Sequence, residues 1–381
     1  MKILFIAQRL SPYIVDTRRV LTEAGHVVDV LDVFDAVYCT AGREVSVFTN
    51  ETVQKITWSI KKVRGLSTLL AVKSFLKKLA GKYDICHVHY NEPLYSAFFP
   101  EELSKTAQKL IVSIWGWDFH KANNFKRKLQ QRIYKRADTI TFNNEDVRDD
   151  FTAYYNRRYL KKSEILRFGL TTVSDIKQLQ DRNDAAQYCR SILDLPPDAF
   201  IVAFGHNGVV EQQHEKMALA IKENHSEFPD ETYVVFPMNY GATSDYIERV
   251  KTVVKDCGFS YRVMDKMIYG EELAALRTAA DVMVHVQVTD SFSAAMQEHL
   301  YGGSIVINGS WLPYKFLKDR SVFFLEVNSV SEIVEKIIYA YKNMRHLKEL
   351  CFNNRHIMWD LSSWERNLPR WEAIYKKDPN P

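Results

Sequence analysis

The most specific arrangement of groups that could do chemistry lies in the segment DSFSAAMQEHLYGGSIVI, which begins at Asp290. Asp290 follows an apolar strand, and Glu298 lies within the predicted helix that comes next. Gly302 and Gly303 end that helix before another strand. An acid at a strand end can contact a sugar, and an acid inside the helix can accept hydrogen bonds from ribose hydroxyls. Asp290 and Glu298 are therefore candidate contacts for a sugar and for a ribose.

The start of this predicted helix is a candidate phosphate site. Loops that follow the strands of a parallel α/β sheet line its ligand crevice, and free N–H groups at a helix N-terminus bind phosphate oxygens. We predict that the N–H groups of Ser291, Phe292 and Ser293 bind a diphosphate. The alternative is structural: Asp290 stabilises the helix dipole, and Glu298 lies on the exposed face of the helix.

A second candidate site is the loop in the segment FGHNGVVEQQHEKMALAI, which begins at Phe204. Two glycines allow the main chain to approach a phosphate closely, and a histidine or asparagine between them can donate to it. Lys216 is the cation at a suitable distance along the chain. The alternative is an ordinary glycine-rich turn. The predicted donor-binding residues of this loop and the following helix are Gly205, His206, Asn207, Gly208 and Lys216.

In the first half, the segment SIWGWDFH ends a predicted strand with an acid, Asp118, and a histidine, His120. Either group could help to deprotonate an acceptor, and Trp115 or Trp117 could stack on a sugar ring. His89 ends a neighbouring strand and is a further acceptor-side candidate. Asp and His are also common turn and capping residues, and buried structural histidines are equally compatible with these positions.

Basic side chains are concentrated in the first half of the chain. Residues 1–170 hold 28 Lys and Arg against 18 Asp and Glu, a balance of +10, and the remainder holds 23 against 29, a balance of −6. The stretches 55–82 and 121–136 contain no acid. Basic residues interleaved with apolar ones suit anionic lipid headgroups, although a solvated helix face is the alternative. No nucleic-acid reader motif accompanies this charge.

The elements that position these residues alternate between apolar strands and helical stretches. Such alternation predicts βαβ units and a parallel sheet, and strands without polar alternation support buried strands. In the first half the predicted strands begin at Lys2, Val27, Asp84, Leu110 and Asp138.

After a charged stretch and the pair Pro196-Pro197, a second series of strands begins. The predicted fold is α/β, with two Rossmann-like domains and an interdomain cleft. The first domain covers residues 1–170, the second covers residues 171–361, and the hinge lies between Leu170 and Pro196. The sequence permits a C-terminal helix, residues 362–381, to pack back on the first domain. The strands of the second series begin at Ala199, Thr232, Asp281 and Ser304.

Composition places the chain among ordinary globular proteins, with 46% hydrophobic and 26% charged residues in a length of 381. Its five cysteines are scattered and form no CxxC pair, which favours reduced thiols over disulfides or a zinc site. No apolar run is long enough to span a bilayer, and the N-terminus is a poor signal peptide. We expect a cytoplasmic protein.

The spacing of Asp290 and Glu298, with a helix that ends in small residues, resembles the E-x7-E signature of the retaining group 1 glycosyltransferases of GT-B fold. The resemblance implies that the first acid contacts the donor sugar and the second contacts the ribose. It also implies retention of anomeric configuration, with no essential metal and no cofactor. The segment SIWGWDFH resembles the H-G-x-D-type loop of the family, with Trp115 where a His is often found.

The segment VVFPMNYGATSDYIERV is similar to the bacterial lipid-II-directed 4-acetamido-fucosyl transferases. The chain also departs from the family pattern: Asp290 replaces the first Glu, the early loop AQRLSPY has no glycine, and Lys216 stands where a basic pair is common. Because of these departures, the sequence does not identify the donor sugar, and a protein without enzymatic activity is an alternative interpretation.

The resulting hypothesis is a glycosyltransferase that moves a sugar from a nucleotide-diphosphate donor, with UDP-sugar the expected class, in bacterial surface polysaccharide synthesis. The acceptor would be a saccharide or an undecaprenyl-diphosphate-linked sugar. The enzyme would lie on the inner face of the cell membrane, held through residues 55–82 and 121–136, with no nucleic-acid partner. Two alternatives are an inactive glycosyltransferase-like partner protein and a nucleotide-sugar 2-epimerase of GT-B fold. A NAD-dependent enzyme is disfavoured because no GxGxxG follows the first strand.

Overall fold

The computed structural model describes residues 1–8, 11–32, 44–48, 53–57, 64–92, 97–255 and 257–378. The chain divides into two compact units: Met1–Gly169 with Asn367–Pro381 form the first, and Leu170–Arg366 form the second. Each unit is built around one sheet. The alternation of strands and helices that the sequence predicts is present in both.

Eight strands form the sheet of the first unit within the described residues. They are β1 Lys2–Ile6, β2 Val27–Asp32, β3 Glu44–Phe48, β4 Val53–Thr57, β5 Tyr83–His89, β6 Ala107–Ile114, β7 Thr139–Phe142 and β8 Ser163–Ile165. Their order is β4-β3-β2-β1-β5-β6-β7-β8. Neighbouring strands are parallel, except that β3 is antiparallel to β2 and to β4. The central strands β1, β5 and β6 are buried on both faces, which explains why most of their residues are apolar.

The helices of the first unit begin with residues suited to helix starts. Pro12 occupies an early position of the first helix, where its missing N–H costs nothing. The side chains of Asn123 and Asn144 each accept a main-chain N–H at later helix starts. The predicted basic stretch 55–82 contains the end of β4 and a helix, and its residues 58–63 lie outside the described part of the chain. The helices are α1 Pro12–Glu23, α2 Arg64–Lys78, α3 Pro100–Thr106, α4 Trp117–His120, α5 Asn124–Arg136 and α6 Glu145–Tyr155, followed by a 3₁₀ turn at Arg157–Lys162.

The second unit holds a six-stranded sheet in which all neighbouring strands are parallel. Its strands are β9 Phe200–Phe204, β10 Thr232–Pro237, β11 Ser260–Met264, β12 Val282–His285, β13 Ile305–Gly309 and β14 Leu325–Val327. Their order is β11-β10-β9-β12-β13-β14. The chain therefore builds outwards from β9 in one direction and then returns to the other side of β9 at β12. This reversal is the topological switch point at which parallel α/β sheets bind ligands.

Helices and short 3₁₀ turns connect these strands. The charged stretch that the sequence shows before Pro196 forms two helices with a turn between them. The helices are α7 Thr171–Gln180, α8 Ala185–Ile192, α9 His214–Glu223, α10 Ser244–Val254, α11 Glu271–Ala279, α12 Ala294–Gly302, α13 Lys315–Lys318, α14 Ile333–Lys342, α15 Met344–Phe352 and α16 Asn354–Ser362.

The last helix, α17 Trp364–Lys376, belongs to the first unit from Asn367 onwards. Its buried Trp371 donates from Nε1 to the main-chain oxygen of Arg167 at 2.8 Å. The buried Lys109 ammonium donates to the main-chain oxygens of Ile374 and Lys377 at 2.5 and 2.6 Å. A cation at a helix C-terminus pairs with carbonyl groups that have no partner in the helix. Within the described ranges, no helix combines the length and apolar character needed to cross a membrane.

Candidate functional site

The predicted donor residues of the second unit meet at the carboxyl ends of β9 and β12, which are neighbours in the sheet. Gly205 and His206 follow β9 directly, and the loop to Asp290 follows β12. The Gly205 N–H donates to the main-chain oxygen of Val284 at 3.0 Å. The rings of His206 and His285 lie 5.8 Å apart, centre to centre. The switch point of the sheet thus brings the two candidate loops together.

Asp290 is held in one orientation by three donors. His285 Nε2 lies 3.0 Å from Asp290 Oδ2, and the Tyr314 hydroxyl donates to the same oxygen. The Ser291 N–H donates to Asp290 Oδ1 at 2.8 Å. Burial raises the pKa of Asp290, but the hydrogen bond and charge of His285 and the Tyr314 hydroxyl outweigh it, so the net pKa is below the ordinary value. Asp290 is therefore an ionised and fixed acceptor.

The start of α12 is already partly occupied. Ser293 is the N-cap of the helix, and its hydroxyl accepts the Met296 N–H. The Ser293 N–H donates to the Tyr314 hydroxyl at 3.0 Å, while the Ser291 N–H is used by Asp290. Two of the three N–H groups predicted to bind diphosphate therefore have an acceptor within the protein.

Glu298 is buried in an ion pair, contrary to the exposed position considered as an alternative. Its Oε2 accepts from Arg277 Nε at 2.9 Å, and the two side chains are 7% and 4% exposed. Arg277 also lies 3.2 Å from His299 Nε2, and His299 Nδ1 lies 2.8 Å from the Ser304 hydroxyl. A buried pair costs desolvation, and removing one partner leaves an uncompensated charge. This pair fixes α12 against the end of α11.

The glycine loop after β9 is tightly packed. Gly205 has a φ of +69°, and a Cβ there would lie 2.7 Å from Gln212 Oε1 and 2.9 Å from His214 Nε2. A Cβ on Gly208 would lie 2.3 Å from the Cβ of Ala242. Both positions therefore require glycine, the first for its backbone conformation and the second for close approach. Asn207 accepts the Val209 N–H at 3.0 Å through Oδ1, which closes the turn.

Several buried polar atoms at this edge have no hydrogen-bond partner among the residues that the structure describes. They include Nδ1 of His206, Nδ1 of His285 and Nε2 of His214. Burial lowers the pKa of His206 to about 3 and that of His214 to about 4, so both rings are neutral at physiological pH. Unpaired polar atoms in a buried position are costly, and a ligand that supplies partners would remove that cost.

Lys216 lies on the exposed side of α9, and its hydrogen bond is not made to any of the histidines described above. Its ammonium donates to Gln213 Oε1 at 2.8 Å, and Gln213 Nε2 donates to the main-chain oxygen of Val286 at 2.5 Å. Gln212 Nε2 donates to Gln287 Oε1 at 2.6 Å. Gln212 and Gln213 therefore join the segment after β9 to the loop after β12, whereas the sequence predicted that Lys216 would bind a phosphate there.

In the first unit, Asp118 organises the loop after β6. Its Oδ2 accepts the Asn91 N–H at 2.8 Å, and its Oδ1 accepts the N–H groups of Trp115 and Gly116 at 3.0 and 3.1 Å. Burial raises the pKa of Asp118 to about 7 against the opposing effect of these N–H groups. The carboxyl group that was predicted to act in catalysis thus accepts three main-chain N–H groups.

His89 lies in a buried aromatic cluster. Its ring stacks at 5.9 Å on Trp371 and lies 4.6 Å from Phe5. Burial lowers its pKa to about 3, and neither ring nitrogen has a partner in the described ranges of the chain. Trp115 contacts the edge of the same cluster at 6.2 Å from His89. The structure therefore brings His89, Trp115 and Asp118 into one region.

Trp117 and His120 lie on the accessible side of α4. Trp117 is 46% exposed, and the Lys121 ammonium lies 4.7 Å from its ring centre. His120 Nε2 lies 3.9 Å from Asp150 Oδ2, and burial lowers the pKa of His120 more than Asp150 raises it. Both side chains are accessible to a ligand.

For metals, no group of three or more His, Cys, Asp or Glu side chains suited to an ion occurs among the described residues.

Comparison with known proteins agrees with this architecture. Residues 10–160, in the first unit, match the family model of the glycosyl transferase 4-like domain. A glycosyltransferase from Rickettsia africae has a similar structure, with a TM-score of 0.72 and 14% identity over 99% of this chain and 98% of that chain. Sucrose-phosphate synthase from Thermosynechococcus elongatus gives a TM-score of 0.73 and 15% identity over the same shares, 99% and 98%. The chain has the GT-B fold.

A further GT-B neighbour is Anabaena HepE in complex with UDP and glucose, with a TM-score of 0.68 and 12% identity over 99% of this chain and 100% of that chain. No curated protein sequence matches the chain. Identities at this level establish the GT-B fold and leave the chemistry to be argued from the residues.

Five residues at the site in the second unit were not predicted from the sequence: Gln212, Arg277, His285, Gln287 and Tyr314. His285 ends the apolar strand β12, and a histidine at that position is a signal that could have been used. Tyr314 lies beyond β13 and reaches Asp290 only through the fold, so no local spacing marks it.

Proposed function

We propose that the chain is a glycosyltransferase that moves a sugar from a nucleotide-diphosphate donor. The observation that carries the proposal is the ionised, fixed Asp290 at the switch point of the second sheet, beside the glycine loop that holds His206. A fixed carboxylate can accept sugar hydroxyls, and unpaired imidazole nitrogens can receive hydrogen bonds or donate them to phosphate. The glycosyl transferase 4-like domain in the first unit supports the same function.

A UDP-sugar is the donor class that we propose first. Anabaena HepE was solved in complex with UDP-glucose, and an Escherichia coli GT-B neighbour was solved bound with UDP-2-fluoro glucose. The second unit would bind the donor through Gly205, His206, Asn207 and Gly208. The Phe292 N–H and Glu298 would add contacts to the diphosphate and the ribose, with Glu298 also retaining its bond to Arg277.

The reaction would proceed with retention of configuration and without an essential metal. N–H groups at helix N-termini and on neutral imidazoles can donate hydrogen bonds to the diphosphate, whose charge a cation neutralises in other transferases. The acceptor would be held by the first unit, with Trp117 and His120 the accessible candidates and Trp115, His89 and Asp118 shaping the loop behind them. A lipid-linked saccharide such as an undecaprenyl-diphosphate sugar, used in bacterial surface glycan synthesis, is the proposed acceptor.

We propose that one face of α5 binds the cytoplasmic side of an anionic membrane. One face of α5 carries Lys128, Arg132, Lys135 and Arg136 at helical spacing, and α5 contains no acid in its first turn. Phe125, at the start of the same face, is 69% exposed. Cations around an exposed aromatic side chain suit an anionic headgroup layer, at about 1 kcal/mol for each basic residue near the surface.

Vesicle sedimentation tests this surface. We expect the chain to pellet with vesicles containing phosphatidylglycerol and to remain in solution with phosphatidylcholine alone. The variant K128E/R132E should lose binding, whereas K222E, a charge change on the second unit, should retain it. Equal binding of both variants would contradict the assignment.

A thermal-shift screen with UDP, GDP, dTDP and their sugar conjugates tests the function, followed by assay of nucleotide release with lipid-linked acceptors. We expect one nucleotide family to raise the melting temperature and one conjugate to be consumed. In D290N, turnover should fall on the order of 10²- to 10³-fold. The control D319N changes an exposed aspartate paired with Lys315 and should leave turnover unchanged.

A second candidate is an inactive glycosyltransferase-like partner protein. The observation that favours it is that the Ser291 and Ser293 N–H groups are occupied within the protein. This candidate predicts no melting shift with any nucleotide sugar. A melting shift with conversion of the sugar but no acceptor requirement would instead indicate a nucleotide-sugar 2-epimerase.

A further inference from the structure

Tyr314 connects three parts of the second-unit site through one hydroxyl group. Its oxygen accepts the Ser293 N–H at 3.0 Å, its proton goes to Asp290 Oδ2, and His285 Nε2 lies 3.3 Å away. The side chain is 1% exposed, so water cannot replace these contacts. Tyr314 therefore joins the loop after β12, the first turn of α12 and the segment after β13.

The direction of each hydrogen bond follows from the number of protons available. The Ser293 N–H can only donate, so the Tyr314 oxygen accepts it and the single hydroxyl proton points to Asp290. His285 must carry its proton on Nε2 to bond the same carboxylate oxygen. Asp290 Oδ2 thus receives two donors, and among the described residues Oδ1 receives the Ser291 N–H alone.

A carboxylate oxygen can accept about two hydrogen bonds. Oδ2 of Asp290 is saturated, and Oδ1 retains capacity for one more donor. A sugar hydroxyl that reaches Asp290 would therefore be received on Oδ1. The side chain of Asp is shorter than that of Glu, and two fixed donors on Oδ2 prevent it from rotating to offer the other oxygen.

We propose that Tyr314 is a positioning residue that sets the sugar specificity of this site by presenting Oδ1 of Asp290 to the donor sugar. The proposal rests on the proposed function, since it assumes that a nucleotide sugar binds here. Tyr314 also keeps the Ser293 N–H away from the diphosphate. Loss of the hydroxyl should consequently weaken recognition of the sugar and leave the nucleotide diphosphate itself bound as well as before or better.

The test compares Y314F with wild type and with Y301F. Y301F removes a hydroxyl from a different buried tyrosine, one that lies in α12 with its ring centre 5.8 Å from that of Trp359. Calorimetry measures the affinity for UDP and for the UDP-sugar that is turned over. We expect Y314F to lose on the order of 10- to 100-fold in the preference for UDP-sugar over UDP, because a hydrogen bond to a charged group is removed. Y301F should match wild type.

A double-mutant cycle with D290N separates positioning from a general loss of structure. If Tyr314 acts through Asp290, Y314F should add little to the loss of sugar preference in a D290N background. Full additivity of the two losses, or a Y314F variant with wild-type preference, would overturn the proposal.

A second measurement does not depend on any nucleotide. In protein labelled with ¹³C at aspartate carboxyls, the Asp290 resonance of Y314F should titrate at higher pH than in wild type, because a donor to the carboxylate is lost. If wild type binds no nucleotide sugar, the proposed function fails. An Asp290 titration that is the same in Y314F and wild type would separately show that Tyr314 does not position Asp290. A changed titration without nucleotide binding would restrict Tyr314 to a structural role and overturn the specificity proposal.

Discussion

The two units place similar residues after their strands and use them differently. In the first unit, Asp118 bonds three main-chain N–H groups and His89 packs among aromatic rings. In the second unit, Asp290 is fixed by two side chains, and the nearby His206 keeps a nitrogen without a partner in the described structure. An acid and a histidine at a strand end are therefore insufficient to mark a site. The two acids differ in what holds them: main-chain N–H groups hold Asp118, whereas the side chains of His285 and Tyr314 hold Asp290.

The largest expected effect concerns the Arg277–Glu298 pair. We expect E298A to lose about 3–5 kcal/mol of unfolding free energy, because it leaves the Arg277 charge buried without its partner. Urea unfolding of E298A and of the double variant R277M/E298L measures this effect, and the double variant should recover most of the loss.

The same variants test whether Glu298 binds the ribose of the donor. Under the proposed function, R277M/E298L should be stable but should not bind the nucleotide. Nucleotide affinity equal to wild type in this double variant would make the pair structural only and would remove Glu298 from the donor site.

The next effect is the pH dependence of stability due to Asp118. Its folded pKa of about 7 exceeds the unfolded value of about 3.9, so the folded state retains a proton that the unfolded state releases. Stability from this group is therefore complete below about pH 4 and is lost as pH rises to about 7. D118N lacks this titration, so the wild type should be more stable relative to D118N at pH 5 than at pH 8. A difference that is the same at both pH values would contradict the assigned pKa.

A smaller effect is expected at His89. The nitrogens of the buried His89 ring have no partner among the described residues. Replacing that ring with one of similar shape removes a desolvation cost that no hydrogen bond offsets. H89F should gain about 1 kcal/mol of unfolding free energy, measured by urea unfolding, with turnover unchanged. A stable H89F protein that has lost turnover would show that His89 takes part in the reaction or in acceptor binding and does more than support the loop behind Trp117 and His120.

The smallest effect is expected at Lys216. Because its ammonium bonds Gln213 at the surface of α9, K216A should change nucleotide affinity less than about twofold by calorimetry. A tenfold loss would show that Lys216 turns towards a bound diphosphate.

Much of the GT-B fold could be predicted from the sequence because most residues of its buried strands are apolar. The predicted strand from Asp84 corresponds to β5 Tyr83–His89, and the one from Asp281 corresponds to β12 Val282–His285. The antiparallel strands β3 and β4 were not predicted. The predicted strands are mainly apolar segments that alternate with helices, whereas EVSVF and VQKIT have polar residues between apolar ones and follow each other too closely in the sequence for a helix between them.

The candidate site was predictable only where its residues are local in sequence. Asp290, Ser293 and Glu298 share one strand–loop–helix, and spacing alone placed them together. Tyr314 and Arg277 reach them from other elements, at sequence separations of 24 and 21 residues. Whether Glu298 is exposed or buried depends on those partners, so the sequence could not decide it.

Hydrogen exchange measured by mass spectrometry tests the contrast between the units most directly. The full chain is compared with and without the nucleotide sugar that gives the largest melting shift. We expect protection of residues 205–216 and 285–298 and little change in residues 85–92. Protection confined to the first unit, or no protection in the loops after β9 and β12, would contradict the assignment of the donor site to Asp290 and its neighbours.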